Sequence, residues 1–173
     1  GTGWQEDTPG IQKHLRDWWE YDPATDTWTQ KADFPGGPCA FAAGTGVGEK
    51  GYLGLSGPGP DPGTQWWMYS PDTDTWTQKA NYPGTSRYGS GIFAMNNRIY
   101  AGNGTKGLGF NPANSIYDWW EYNTETDSWK PAASQSQTSF GGTGFALGNK
   151  GYFGLGDNDN GVVKSDFWKF TID

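Results

Sequence analysis

Three features of the sequence predict an all-β fold, a β-propeller made of four-stranded blades. An aromatic doublet such as Trp18-Trp19 recurs along the chain, a further Trp follows most doublets at a constant distance, and short Gly-rich segments precede them. No segment shows sustained helical periodicity, and turn residues bound the short β-like runs. A period near 50 residues that holds four such runs matches the content of a propeller blade.

The aromatic doublets set the repeat and predict the third strand of each blade. Their second residues are spaced by 48, 53 and 48 positions, at Trp19, Trp67, Trp120 and Trp168. In the first three repeats another Trp lies nine positions further on and predicts a fourth strand, at Trp28, Trp76 and Trp129. Asp22-Pro23 and Ser70-Pro71 start the tight turns between the third and fourth strands.

The first and second strands are predicted from the Gly-rich segments upstream of each doublet. The first strands lie in segments 40–47, 89–95 and 141–147, and the second strands in 51–57, 98–104 and 151–156. Three glycines are predicted to lie where strands crowd toward a central channel and leave no room for a side chain, Gly54, Gly102 and Gly154. The fourth-strand residues Trp28, Trp76 and Trp129 are predicted to fill the wedge between neighbouring blades.

This combination resembles the kelch repeat, the unit of kelch and galactose-oxidase-type β-propellers. The resemblance rests on the Gly-rich second strand, the aromatic third strand, the Asp-Pro-type turn and the later Trp, and it covers nearly the whole chain. The Trp-Trp-Glu-Tyr run at 18–21 and the turn that follows are most similar to secreted bacterial kelch proteins. The resemblance implies that the loops between strands two and three share a face with the blade junctions, and that this face carries the binding site.

The repeats divide the chain into two whole and two partial blades of a single propeller segment. A partial blade at 1–36 precedes blade 37–84, blade 85–134 and a partial blade at 135–173. Kelch-type propellers usually have more blades, so we expect this segment to belong to a longer propeller. Its unpaired strand edges need the remaining blades of the same protein, or a second copy, to close the ring.

Charge and hydropathy narrow the expected partners and location. Twelve Lys and Arg against 19 Asp and Glu give a net charge of −7 without a basic run, which argues against nucleic-acid binding. No stretch approaches the roughly 18 consecutive apolar residues that a spanning helix needs, so no direct membrane insertion is expected. The resemblance implies an extracellular or cell-surface location associated with a bacterial outer membrane, the leader being absent from this chain.

No cofactor is expected. Galactose oxidase holds copper with two His and two Tyr, whereas this chain contains a single His. Asp157 and Asp159 are weak calcium candidates, because the Asp and Asn oxygens of segment 157–161 suit that ion while the glycine position departs from the EF-hand pattern.

Ligand-binding candidates are aromatic and polar residues of the predicted loops: Trp4, His14, Arg87, Tyr88, Phe110 and Tyr117. Aromatic rings stack on sugars or anchor protein partners, and Arg adds directional hydrogen bonds. The alternative for each is packing over the blade tops, and for His14 it is simple exposure to solvent.

The function that fits best is a non-catalytic binding or scaffold module of a secreted or cell-surface bacterial protein, which binds protein or glycan through the propeller loops. No catalytic residue is assigned. The carboxylates Glu6, Asp7 and Asp61 lie in predicted loops. The alternative is therefore part of a carbohydrate-active kelch enzyme, similar to sialic-acid epimerases, whose active site is completed by blades absent here.

Overall fold

The computed structural model describes residues 2–57, 63–107, 111–134, 140–157, 162–163 and 165–171. These ranges form antiparallel strands joined by turns, together with two single-turn 3₁₀ helices at Pro71–Thr73 and Pro112–Asn114. Among the described residues, no helix has the length and apolar character needed to cross a bilayer.

Two two-stranded sheets form the amino-terminal part. Strands β1 (Gly3–Thr8) and β2 (Ile11–Leu15) make a hairpin, and β3 (Trp18–Asp22) pairs with β4 (Thr27–Lys31).

Two complete four-stranded blades follow. The first consists of β5 (Ala43–Val47), β6 (Lys50–Gly54), β7 (Trp66–Ser70) and β8 (Thr75–Gln78). The second consists of β9 (Gly91–Met95), β10 (Arg98–Gly102), β11 (Trp119–Asn123) and β12 (Ser128–Ala132). A three-stranded sheet of β13 (Thr143–Leu147), β14 (Lys150–Gly154) and β15 (Phe167–Thr171) ends the described chain.

Successive blades lie side by side with their first strands innermost. β5 contacts β9, and β9 contacts β13, whereas the fourth strands lie at the opposite edge of each sheet. The predicted all-β architecture of antiparallel four-stranded blades is confirmed.

Trp4 and His14 were predicted to lie in a loop, but the segment 2–16 that contains them is a pair of strands. It folds as the β1–β2 hairpin, with Trp4 opposite His14 and Gln5 opposite Lys13. Pro9-Gly10 makes the turn, and Gly10 adopts φ +83, which glycine tolerates without strain. The turn signal in this dipeptide explains the hairpin.

The glycines at the ends of the second strands are crowded by their own third strand rather than by the central channel. Gly102 pairs with Trp119, and a Cβ at Gly102 would overlap the Trp119 ring and the Asp118 carbonyl oxygen. Gly54 and Gly154 meet the same obstacle from the residues that open β7 and β15. The absence of a side chain therefore lets a large aromatic residue cross directly over the second strand.

Trp76 and Trp129 link each complete blade to the blade before it. Trp76 packs edge-on against Trp18 and Phe34, with ring centroids 5.2 and 5.3 Å apart. Its indole Nε1 donates to the Ala32 carbonyl oxygen at 2.9 Å. Trp129 repeats the arrangement one blade later, where it packs against Tyr82 and donates to the Ala80 carbonyl oxygen at 2.8 Å.

An Asp at the start of each fourth strand completes this link. Asp74 accepts hydrogen bonds from the Ala32 N–H at 2.9 Å and from the Tyr69 hydroxyl at 2.7 Å. Asp127 does the same with the Ala80 N–H and the Tyr122 hydroxyl. The alanine of one blade is thus held at both its N–H and its C=O by the Asp and Trp of the next blade, an arrangement that we call the blade latch.

Trp28 does not pack between two blades, contrary to the prediction that all three fourth-strand tryptophans do so. Its side chain is 64% exposed and packs against Tyr21 at 5.0 Å within its own sheet. Among the described residues, no blade precedes it to cover the ring.

Candidate functional site

Two sets of loops meet on one face of the blades. Backbone bridges join the residue three positions before each first strand to the residue three positions after the second strand, pairing Ala40 with Gly57, Tyr88 with Thr105 and Phe140 with Asp157. Each pair exchanges two N–H···O bonds of 3.0–3.2 Å. We call the surface formed by these residues the loop face.

The blades are also joined across the loop face. The Gly89 N–H donates to the Phe41 carbonyl oxygen, and the Gly141 N–H donates to the Gly89 carbonyl oxygen, both at 3.1 Å. All three residues have left-handed backbones, with φ values of +55, +63 and +67. Two repeats therefore use glycine at this position, and the first repeat uses phenylalanine.

Phe41 lies in an aromatic cluster at the inner end of the loop face. Its ring centroid is 5.9 Å from Tyr88 and 5.7 Å from Phe140, and the latter two rings are 6.0 Å apart. Phe41 is 47% exposed while Tyr88 is buried. We call these three residues the aromatic triad.

The backbone of Phe41 is left-handed, a conformation that is unfavourable for residues that have a Cβ atom. A left-handed backbone costs a non-glycine residue on the order of 1 kcal/mol or more. The strain is tolerated although the ring gains only partial burial. Residues held in sparsely populated backbone conformations are enriched at active and ligand-binding sites.

Tyr88 is the buried member of the triad. Its ring lies against Gly57, where a Cβ would touch the ring atoms. The Tyr88 Oη atom and the Ser90 Oγ atom are both buried, and neither has a hydrogen-bond partner within the described ranges. Burial raises the pKa of the Tyr88 phenol.

Arg87 is not a surface residue, contrary to the expectation of direct ligand contact. Its side chain is fully buried, with Nη2 2.7 Å from Asp118 Oδ1 and the guanidinium 4.7 Å from the centre of the Tyr82 ring. Nη1 donates to the carbonyl oxygens of Asn103 and Asp118, both at 3.3 Å. Its donors are thus engaged inside the protein, with Nε also donating to the Thr85 carbonyl oxygen at 2.9 Å.

Trp4 and His14 lie apart from the triad, on the β1–β2 hairpin. Trp4 is 48% exposed. His14 lines an open depression of about 400 Å³ together with Lys13, Arg16 and Asp33. Arg16 and Asp33 form an exposed ion pair at 3.0 Å across its floor.

The remaining candidate residues differ in their exposure and in their hydrogen bonds. Tyr117 is 40% exposed and precedes β11. Asp157 bonds to Phe140 through its backbone, while Glu6 Oε1 accepts from the Gly10 N–H in the hairpin turn. Phe110, Asp159 and Asp61 lie outside the described residues.

Within the described ranges, no group of three or more His, Cys, Asp or Glu is placed to hold a metal ion.

Of the three triad residues, only Tyr88 was predicted to bind a ligand. Phe41 could have been noticed by aligning the repeats, because it occupies the position of Gly89 and Gly141. A large residue where sister repeats have glycine indicates either a different backbone or a tolerated strain. The structure shows the second case.

Comparisons with known proteins agree on the fold. No protein-family model matches the sequence, and no curated protein matches it either. The solved structure of YjhT, a kelch-type protein, superimposes with a TM-score of 0.75 at 18% sequence identity. The match covers 90% of this chain and 56% of the YjhT chain, so the chain spans little more than half of that protein. The fold is therefore that of a kelch-like β-propeller.

Proposed function

We propose that the chain is a non-catalytic binding module whose loop face holds a glycan on the aromatic triad. The observation that carries the proposal is Phe41, an exposed aromatic ring kept on a strained left-handed backbone where the sister repeats have glycine. Such a residue weakens folding, and contact with a ligand would offset that cost.

The chemistry of the triad fits a sugar ring. An exposed aromatic face stacks on the C–H face of a pyranose. Phe41 offers such a face on the loop face.

The location and the assembly are part of the same proposal. A secreted or cell-surface bacterial protein, as the repeat resemblance implies, would encounter glycans outside the cell. The full propeller would be completed by further blades of the same protein or by a second copy.

The proposal is tested by screening the full chain on a glycan array and measuring the best glycans by isothermal titration calorimetry. The key variant is Phe41→Gly, which supplies the residue of the sister repeats. We expect it to weaken glycan binding by more than about ten-fold while raising the free energy of unfolding by about 1 kcal/mol, since the backbone strain is relieved.

Phe145→Ser is the matched control, because Phe145 is 44% exposed on β13 and lies away from the triad. It should leave glycan binding unchanged. Equal affinity of the wild type and Phe41→Gly would contradict the proposal, as would binding to protein partners alone. Turnover of a bound sugar, such as epimerisation of sialic acid, would favour the enzyme alternative.

A further inference from the structure

A polar depression of about 400 Å³ lies between the β1–β2 hairpin and the segment that joins β4 to β5. Its volume is within the range of sites that hold small molecules. The hairpin contributes Gln5, Lys13 and His14 to the lining, β4 contributes Gln30, and the joining segment contributes Asp33 and Pro38. We call this surface the hairpin depression.

Hydrogen bonds fix the two walls of the hairpin depression to each other. The Phe34 N–H donates to the Arg16 carbonyl oxygen at 2.8 Å, and the Cys39 N–H donates to the Leu15 carbonyl oxygen at 3.0 Å. Arg16 Nε also donates to Asp33 Oδ2 at 3.0 Å. The walls are therefore held in place in the absence of a ligand.

The hairpin depression lies on the side of the amino-terminal sheet that β4 closes. β3 pairs with β4 along one edge, and the lining includes Gln30 of β4 but no residue of β3. A strand added at the other edge of β3 would lie on the far side of β3 from Gln30. The depression is thus formed by elements of this chain alone.

Several polar side chains in the hairpin depression have unused hydrogen-bonding groups. Within the described ranges, the side chains of Lys13, His14 and Gln30 have neither a hydrogen-bond nor an ion-pair partner. Together they offer an ammonium group, an imidazole and an amide, which can both donate and accept. These groups are available to a ligand.

The charges of the lining balance. Its two cations, Lys13 and Arg16, are matched by two carboxylates, Asp17 and Asp33. A lining that both donates and accepts hydrogen bonds without net charge suits the hydroxyl groups of an uncharged sugar better than it suits an ion.

The hairpin depression adjoins the loop face. Pro38 lines the depression, and Phe41 of the aromatic triad follows three residues later, so their Cα atoms are no more than about 11 Å apart. The backbone bridge between Leu15 and Cys39 lies directly beside the bridge between Ala40 and Gly57. A ligand longer than a single sugar unit can therefore reach both surfaces.

We propose that the hairpin depression is a second saccharide subsite, and that the loop face binds an uncharged oligosaccharide rather than a single sugar. One unit stacks on Phe41 and another is hydrogen-bonded in the depression by Lys13, His14 and Gln30. The second subsite rests on the glycan binding at the aromatic triad proposed above, and it specifies the length and the charge of the ligand.

The test is a length series of the best-binding glycan, from the monosaccharide to the hexasaccharide, titrated calorimetrically into the full chain. We expect the affinity to rise by more than about ten-fold once the oligosaccharide reaches the depression, and to stay level beyond that length. His14 is the single His of the chain, so isotope-labelled histidine reports on the depression by NMR. The oligosaccharide should shift its imidazole resonances, and the monosaccharide should not.

A matched pair of variants locates the second subsite. Gln30 and Gln78 occupy the same position of an octapeptide that occurs twice, at 25–32 and 73–80, and only Gln30 lines the hairpin depression. Both side chains are exposed, so neither variant is expected to disturb folding. Gln30→Ala should weaken oligosaccharide binding by about three- to ten-fold and leave monosaccharide binding unchanged, whereas Gln78→Ala should change neither.

Three results would overturn the second subsite and leave glycan binding at the triad standing: equal affinity for the monosaccharide and the longest oligosaccharide, unshifted His14 resonances, or equal effects of the two variants. Tighter binding of a charged oligosaccharide than of an uncharged one of the same length would overturn the assignment of the ligand. Absence of binding at every length would overturn both proposals.

Discussion

Equivalent tryptophans in the two complete blades differ in whether their buried indole N–H is hydrogen-bonded. Trp119 Nε1 donates to Asn103 Oδ1 at 3.0 Å. The equivalent Trp66 faces the Leu55 position, and its Nε1 is buried without a partner among the described residues. Leu55 and Asn103 share a left-handed backbone, with φ +52 and +55, which Asn adopts more readily than Leu. The indole N–H at this position is therefore hydrogen-bonded in the second complete blade, whereas the equivalent N–H in the first has no partner among the described residues.

Asn103→Leu is expected to destabilise the chain by about 1–3 kcal/mol, because it leaves the Trp119 N–H buried without an acceptor. Urea denaturation monitored by tryptophan fluorescence measures the change. The reciprocal Leu55→Asn gives Trp66 an acceptor but removes a buried apolar side chain, so its effect should stay within about 1 kcal/mol. Unchanged stability of Asn103→Leu would show that the hydrogen bond contributes nothing.

The aspartates of the blade latch make stability depend on pH. Hydrogen bonds from Ala32 and Tyr69 hold the pKa of Asp74 below its ordinary value. Burial opposes ionisation of Asp127, but the bonds from Ala80 and Tyr122 outweigh it and also lower the pKa. A carboxyl whose pKa is lower in the folded state stabilises the fold above its unfolded pKa, and that stabilisation is lost as the pH falls.

We therefore expect the free energy of unfolding to hold between about pH 7 and pH 5 and to fall below about pH 4. Asp74→Asn should reduce that fall, since Asn keeps an acceptor oxygen and tolerates the left-handed backbone but does not titrate. Asp26→Asn is the control, because Asp26 also binds a tyrosine hydroxyl but receives no backbone N–H from a preceding blade within the described chain. Equal pH profiles for the two variants would contradict the blade latch.

At the scale of the strands, the position of a glycine decides whether a side chain is tolerated. Gly102 lies under the Trp119 ring and the Asp118 carbonyl oxygen, whereas Gly46 in β5 has only a distant Lys50 carbonyl oxygen at 3.9 Å from a built Cβ. Both glycines are in strands, so the difference comes from what crosses over them and not from local conformation.

Gly102→Ala is expected to cost about 3 kcal/mol, because the obstacle includes backbone that cannot rotate away. Gly46→Ala should be neutral or slightly stabilising, since Ala restricts the unfolded chain. Thermal and chemical unfolding of the two variants would measure the contrast, and a similar loss in both would mean that crowding by the third strand is not the cause.

At the scale of the whole molecule, the identical octapeptides at 25–32 and 73–80 separate local from tertiary effects. The first copy contains β4, the second strand of a two-stranded sheet, and the second copy contains β8, the fourth strand of a complete blade. Trp76 is packed between blades and hydrogen-bonded, whereas Trp28 is 64% exposed. The same eight residues thus acquire different energetic roles from their neighbours alone.

Trp76→Ala is expected to destabilise the chain by about 3 kcal/mol or more, and Trp28→Ala by less than about 1 kcal/mol. Unfolding by urea, with circular dichroism as the signal, provides the comparison in an identical local sequence. Similar losses in the two variants would show that Trp28 is covered in solution, which would point to an association between chains.

Much of the fold and some of the site follow from the sequence. The repeat spacing located the strands of both complete blades, because glycine, turn residues and aromatic doublets each impose a local geometry. The β1–β2 hairpin was missed because its turn signal, Pro9-Gly10, lies outside the repeat pattern. Tyr88 and Arg87 were both predicted as ligand-contact residues of loops, but both side chains are buried, since sequence cannot show that Asp118 and Tyr82 enclose the Arg87 guanidinium.

The sequence by itself determined the all-β class, the period and the strand order, because these depend on residue types at fixed spacing. Only the tertiary structure decided which copies of a repeated residue matter. It placed Phe41 beside Tyr88 and Phe140 across three segments distant in the chain, and it buried Trp76 while leaving Trp28 exposed. The physical reason is that burial and contact are properties of neighbouring blades, and identical local sequences carry no information about what lies against them.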